Sequence, residues 1–450
     1  MGRSIAAPVL GEVGMGPHGN YKRSDTPGGR AALRWVACAC LAAIAGLAEA
    51  QGVDRTSPAA RRGPALAGIT AEPPVRIRVG RRLTEATVWA EGGLTLSAPG
   101  AERTLRFGQS VRVRHSQQGF VVTGDNGRSF RWEAPSLMAT PLRPDALHFE
   151  KTRLPGSLAL VRYAGRMDAV NHTSLEQYLP GVLERELYPK WRPAAYRAQA
   201  VAARSYALWE RGRSAGRHFD LESTTASQAY AGRSTRAVAI RAVADTRGVV
   251  LAYRDRVLPA FYSSSTGGTS QDATSAFPDR VDDLPPLRGG PRGSWGQASP
   301  MWRWSAITRD EADVSARVRA WGRANRSPAA ELGELASIRV AARSAAGRPT
   351  VFEVRDRRRR SVRLACEQLR AACNYAGGGI GPLPRGKVLP SSYFTVRIGR
   401  GAVRFENGRG YGHGVGLGQW GAQGMAEAGQ DHPQILAHFY PGARLVRAYE

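Results

Sequence analysis

Glu186 is the first residue whose setting asks for a chemical explanation. Leu175, Tyr178, Leu179, Val182 and Leu183 recur at helical spacing and make one apolar stripe. Glu186 follows Val182 by one helical turn, so a helix places its carboxyl on that stripe. Glu176 and Glu184 fall on other faces and read as solvated. Two chemistries fit a carboxyl among apolar neighbours. One is an ion pair with a core arginine. The other is a general acid, because burial disfavours the carboxylate and lifts a glutamate pKa towards roughly 6.

Other polar groups stand in equally unusual surroundings. After Trp191-Arg192-Pro193 comes an alanine-rich segment, Ala194 to Ala207, that carries Gln199 and Arg204. Alanines at that density let a neighbouring element pack very close. Near the C-terminus glycine alternates almost regularly from Gly408 to Gly421, with Tyr411, His413 and Gln419 between the glycines. Such a strand or tight loop shows side chains on one face and lets backbone or ligand approach the other. A packed turn with a satisfied histidine is the plainer alternative. The segment is not a phosphate loop, since no Lys-Ser/Thr follows it. Ser264, Ser265 and Thr266, before Gly267-Gly268, read as hydrogen-bond donors rather than nucleophiles. The eight histidines are scattered and no H-E-x-x-H occurs, which excludes a zincin. Neither a metal nor a cofactor is expected.

These residues need elements to hold them. Ser174 with Gln177 reads as a capping box at the start of the apolar stripe. Pro180-Gly181 interrupts the stripe, so two short helices are expected. Residues 75–145 read as short strands: Val75-Arg-Ile-Arg-Val79 alternates, as does Val111-Arg-Val-Arg114, with Gly124-Asp-Asn-Gly127 as a turn. From 146 to 450 strands and helices mix, with an irregular Pro/Gly-rich loop at 279–300. Residues 51–74, rich in Pro, Ala and Arg, read as a disordered linker. The fold class expected is α+β, with largely antiparallel sheets and short helices behind a small β-rich N-terminal region.

The first 50 residues read as an export signal. Arg30 and Arg34 precede an apolar stretch, Trp35 to Leu47, and Ala48-Glu49-Ala50 is an A-x-A cleavage site. The stretch before it, 1–29, is long for an n-region. No run of 18 apolar residues occurs, which excludes a multi-span membrane protein. Cys366 and Cys373 are the cysteines beyond the signal, and in an exported chain the pair suggests one disulfide closing a small loop. The formal net charge is +27 over 450 residues. In an exported protein that charge suits anionic envelope polymers better than nucleic acid, which is not an expected partner.

The string Asn171 to Leu208, "NHTSLEQYLPGVLERELYPKWRPAAYRAQAVAARSYAL", resembles the signature of the SpoIID/LytB family. So do "SQAYAG" (Ser227 to Gly232), "FYSSSTGGTS" (Phe261 to Ser270), "GRGYGHGVGLGQWGAQGMA" (Gly408 to Ala426) and "ILAHFYPGARL" (Ile435 to Leu445). The resemblance covers roughly 146–448 in order. It implies a peptidoglycan lytic transglycosylase, acting on glycan strands stripped of stem peptides, with Glu186 as catalytic acid/base. It also implies substrate contacts from Gln199, Arg204, Gln228, Tyr230, Ser264, Ser265, Tyr411, His413 and Gln419. A departure is Leu187-Tyr188-Pro189 where the family has Met-Pro, one extra residue after the glutamate. The rival within the family is a non-catalytic amidase enhancer that binds wall and stimulates a separate amidase.

Overall fold

Strand alternation in the first third partitions most side chains as its period requires. Val75, Ile77, Val111 and Val113 are buried, and Arg112 and Arg114, which alternate with the last two, are exposed; at Arg78–Val79 the expected alternation is broken, with Arg78 buried against Asp168 and Glu222 and Val79 half-buried. The computed structural model describes residues 61–98, 105–144 and 147–450. The expected export signal lies outside the described residues. Two sheets organise this region. One has seven strands in the order Leu221–Glu222, Pro74–Leu83, Arg166–Ser174, Ser157–Tyr163, Ser136–Pro141, Leu94–Ser97 and Leu105–Phe107. The other has six, Thr152–Leu154, Leu147–Phe149, Glu85–Ala90, Ser110–His115, Phe120–Gly124 and Ser129–Trp132. Their inner faces share one apolar core. The fold class is α+β with mostly antiparallel sheets.

Two expected boundaries are corrected. Pro74–Leu83 pairs along Arg166–Ser174, with Ile77 opposite Asn171. The sheet therefore crosses the division drawn at 145/146, and the β-rich region and the core are not separate bodies. The linker expected over 51–74 is docked from its midpoint onward. Pro64 O accepts from Val257 N at 3.0 Å, and Glu72 pairs with Arg247 and accepts from the Glu176 amide.

The described helices are α1 (Leu175–Glu186), α2 (Pro193–Gly212), α3 (Ala237–Asp245), α4 (Ala273–Ala276), α5 (Glu311–Ala324), α6 (Cys366–Asn374), α7 (Gln419–Glu427) and α8 (His432–Phe439). α1 is one helix and not two: Pro180 sits inside it. The Ser174 hydroxyl caps it by accepting from Gln177 N at 3.4 Å. The reciprocal half of the box is missing, because Gln177 Oε1 instead accepts from Thr173 Oγ1 at 3.0 Å. α2 is buried along nearly its whole length. Ala200, Ala203 and Ala207 join the sheet core, and Ala195, Ala198 and Ala202 join a second core formed with α7 and α8. Two apolar bodies can close on one helix only if its side chains are small, which is why alanine dominates it.

A third core lies in a lobe inserted between residues 303 and 407. It contains α5, α6, the strands Leu335–Arg343, Pro349–Asp356 and Ser361–Ala365, and the three-stranded sheet of Ile307–Asp310, Ala402–Glu406 and Thr395–Gly399. Cys366 and Cys373 open and nearly close α6, and both are free and buried. Seven residues along an α-helix separate two Cα atoms by about 10.5 Å. A disulfide needs them within about 7 Å. The expected bridge is therefore corrected to two buried thiols.

Candidate functional site

Glu186 is the last residue of α1, half-buried, and both its carboxyl oxygens are held. Oε1 accepts from the Ala229 amide at 3.1 Å and Oε2 from Gln419 Nε2 at 3.1 Å. Burial pushes its pKa up, and the two donors pull the other way without cancelling the rise. Its place at a helix C-terminus acts in the same upward direction, since that end carries partial negative charge. The Ala229 amide reaches Glu186 because the loop 229–232 lies directly on α1. Gly181 makes this possible: a Cβ there would overlap the Gly232 carbonyl and the Tyr230 ring. Gly181 O also accepts from Ala231 N at 3.2 Å.

Gln419 arrives from the opposite end of the sequence. Tyr262-Ser263 runs parallel to Leu417-Gly418, and Ser264 O accepts from Trp420 N at 3.0 Å. This short zipper fixes the start of α7, and the first residue of that helix is Gln419. Three separated segments thus converge on one carboxyl group: the end of α1, the 229 loop and the start of α7. Burial in this setting favours the protonated form of Glu186 relative to a free glutamate. Gln419 can serve either protonation state by turning its amide, donating to a carboxylate or accepting from a carboxylic acid.

The comparisons with known proteins bear on this convergence. Residues 163–253, which contain Glu186 and the 229 loop, match the family model SpoIID, described as "Stage II sporulation protein". An uncharacterized protein of Brachyspira hyodysenteriae is 30% identical over 294 residues, 65% of this chain and 72% of that protein. The chain belongs to the SpoIID/LytB family. The amidase enhancer of Bacillus subtilis is 28% identical over 292 residues, 60% of this chain and 40% of that protein. Stage II sporulation protein D of Bacillus subtilis is 23% identical over 320 residues, 65% of this chain and 80% of its own. The chain therefore spans well under half of the amidase enhancer and most of the sporulation protein.

Several residues that the SpoIID/LytB resemblance marked for substrate contact are spent on internal partners. Arg204 is fully buried and makes a two-pronged pair with Glu176, both contacts at 2.8 Å. Glu176 is accordingly buried rather than solvated, and it also accepts from Tyr449 Oη at 2.5 Å. The ion pair with a core arginine exists, but Glu176 makes it and Glu186 does not. Gln228 is fully buried; its Oε1 accepts from Tyr178 Oη and its Nε2 donates to Ala203 O, both at 3.2 Å. Tyr230 donates to Asn171 Oδ1 at 3.1 Å. Ser265 is buried, and its backbone pairs with that of Tyr411. Gln199 is fully buried on α2, with neither amide atom hydrogen-bonded. For Gln199, Arg204, Gln228, Tyr230 and Ser265 the expectation of direct glycan contact is corrected: their side chains lie inside. Ser264, Tyr411, His413 and Gln419 keep some link to the surface or to Glu186.

His413 is held by its own loop. Its Nδ1 accepts from Val415 N at 3.0 Å, and its ring meets Phe261 and Phe277 edge-on. Burial pushes its pKa down to about 4, so it is neutral at pH 7. The residue that sequence reasoning missed is Arg348, which no motif string contains. It is fully buried, and its guanidinium donates to the carbonyls of Thr266, Thr269 and His413 at 3.1, 2.6 and 3.2 Å. The inserted lobe thereby clamps both glycine-rich segments, and Gly414 lacks a side chain because the guanidinium fills that place. A G-x-S-x-G string does occur, from Gly212 to Gly216, but it follows a helix end. Ser214 there donates to Arg211 O and bonds Asp220, so it is no nucleophile elbow. Among the described residues no cluster of three His, Cys, Asp or Glu side chains is arranged to hold a metal.

Proposed function

We propose that this SpoIID/LytB protein is an exported cell-wall remodelling enzyme, a peptidoglycan lytic transglycosylase in which Glu186 is the sole proton carrier. The observation that carries the reading is the convergence of the end of α1, the 229 loop and the start of α7 on one carboxyl group, gripped by the Ala229 amide and Gln419, where burial raises its pKa. Protonated Glu186 gives its proton to the glycosidic oxygen as the bond from muramate C1 to that oxygen breaks. The resulting carboxylate takes the proton of the muramate 6-hydroxyl, whose oxygen closes on C1 as a 1,6-anhydro ring. One carboxyl group completes both transfers and water is not consumed, so the second carboxyl of ordinary glycoside hydrolysis has no task. Gln419 and the Ala229 amide stabilise the intermediate carboxylate, and burial drives reprotonation.

The wall-binding modifier is the second reading, favoured by the similarity to a protein named amidase enhancer. Incubation with denuded glycan strands separates the two. Anhydro-muramate ends detected by mass spectrometry support the transglycosylase. Intact strands together with stimulation of a wall amidase replace it by the modifier.

A further inference from the structure

The Trp191-Arg192-Pro193 motif takes no part in holding Glu186, and the structure sets it against α7. α7 approaches the stretch after Glu186 through two glutamines one helical turn apart. Gln419 donates to Glu186, and Gln423 Oε1 accepts from Arg192 N at 2.9 Å. Between these anchors Trp420 meets Tyr188 at 5.5 Å and Trp191 at 5.2 Å, and Tyr188 meets Trp191 at 5.3 Å. All three rings are partly exposed. Tyr188 belongs to the one-residue departure from the family's Met-Pro. Exposed Lys190 and Arg192 flank Trp191 in the chain.

We propose that Tyr188, Trp191 and Trp420 form a sugar-stacking subsite beside Glu186, with Lys190 and Arg192 as its recognition element for anionic sugars. The apolar face of a pyranose ring, with its N-acetyl methyl group, packs on exposed aromatic surface, and aromatic rings supply such area at little entropic cost. A strand without stem peptides carries a free lactyl carboxylate on every muramate, and two cations beside the rings match that charge. A neutral N-acetylglucosamine oligomer offers the same apolar face without the carboxylates. This inference rests on the glycan reading above and assigns its binding half to named residues.

The test measures binding to the full chain carrying Glu186→Gln, so that no strand is cut. The probes are denuded glycan strands and a neutral N-acetylglucosamine hexamer, titrated by calorimetry. Adding Trp191→Ala or Trp420→Ala should weaken both probes about tenfold or more, as truncating a buried aromatic anchor does. Adding Lys190→Ala with Arg192→Ala should weaken only the denuded strands, and added salt should erase that difference. Unchanged affinity in the tryptophan variants, with unchanged melting temperature, overturns the stacking subsite. Should those variants unfold, the exposed cation pair decides: equal losses for both probes, or none, overturn the proposal. Binding that follows this pattern, together with no cleavage of denuded strands by the chain that keeps Glu186, leaves the subsite standing and sinks the transglycosylase. Cleavage by a protein whose Trp191→Ala variant binds normally does the reverse.

Discussion

Glu186→Gln should abolish glycan cleavage without weakening the fold, and the structure gives both the size and the sign. The amide keeps the shape of the carboxyl. Its oxygen still accepts from the Ala229 amide, and its NH2 meets Gln419, which turns to present its own oxygen. What is lost is the transferable proton. General acid–base catalysis supplies about 10²–10⁴-fold, and a residue that makes both proton transfers belongs near the upper end. Stability should move the other way. A glutamate whose folded pKa lies above its unfolded value stabilises the fold only while protonated. That contribution is present at low pH and is lost as pH rises through the folded pKa. Above it the wild type carries a poorly solvated charge and the glutamine does not. At pH 7 the variant should therefore melt no lower than wild type, and at pH 4 the difference should shrink. The assay is anhydro-muramate release by mass spectrometry, with thermal melts at both pH values. Glu184→Gln is the control, because Glu184 bonds Ser234 and Arg236 and does not touch the Glu186 pocket. Wild-type cleavage by Glu186→Gln would refute the mechanism, and a melt markedly below wild type at pH 7 would refute the assignment of a raised pKa.

Gln419→Leu removes a donor to the carboxylate, so the Glu186 pKa rises further and the alkaline limb of the cleavage profile should move to higher pH; a shift to lower pH contradicts the geometry. Arg204→Met leaves Glu176 buried without its partner and should cost about 3–5 kcal/mol in denaturant unfolding; a loss under about 1 kcal/mol would mean the pair is not load-carrying in that core. Cys366 and Cys373 should titrate as two thiols after denaturation and resist alkylation at pH 8 in the folded state, because burial pushes them up to about 11 and about 12. A cross-linked peptide in non-reducing mapping would contradict the single-helix placement.

The helix phase that singled out Glu186 was readable because the stripe from Leu175 to Leu183 has one period and a single odd member. The alternation of Val111 to Arg114 was readable for the same reason, whereas that of Val75 to Val79 fails at Arg78, which is buried because Asp168 and Glu222, far off in sequence, pair with it. What escaped was whatever depends on partners far apart in sequence. Glu176 looked solvated because its own helix supplies no partner; Arg204 comes from α2, and Tyr449 from the last two residues of the chain. The cysteine pair looked like a bridge because spacing does not say that both ends lie on one helix. The donor on Glu186 Oε1 is a main-chain amide, which leaves no side-chain signature; its only trace is Gly181, where the 229 loop needs room. Arg348 is the strongest case. One arginine among many, 65 positions from His413, it holds the carbonyls of both glycine-rich segments and so sets where Leu417, Gly418 and then Gln419 can lie. A glycine-rich loop has little rigidity of its own. The inserted lobe therefore supplies the stiffness that the signature motifs lack, and the grip on Glu186 depends on a residue outside all of them.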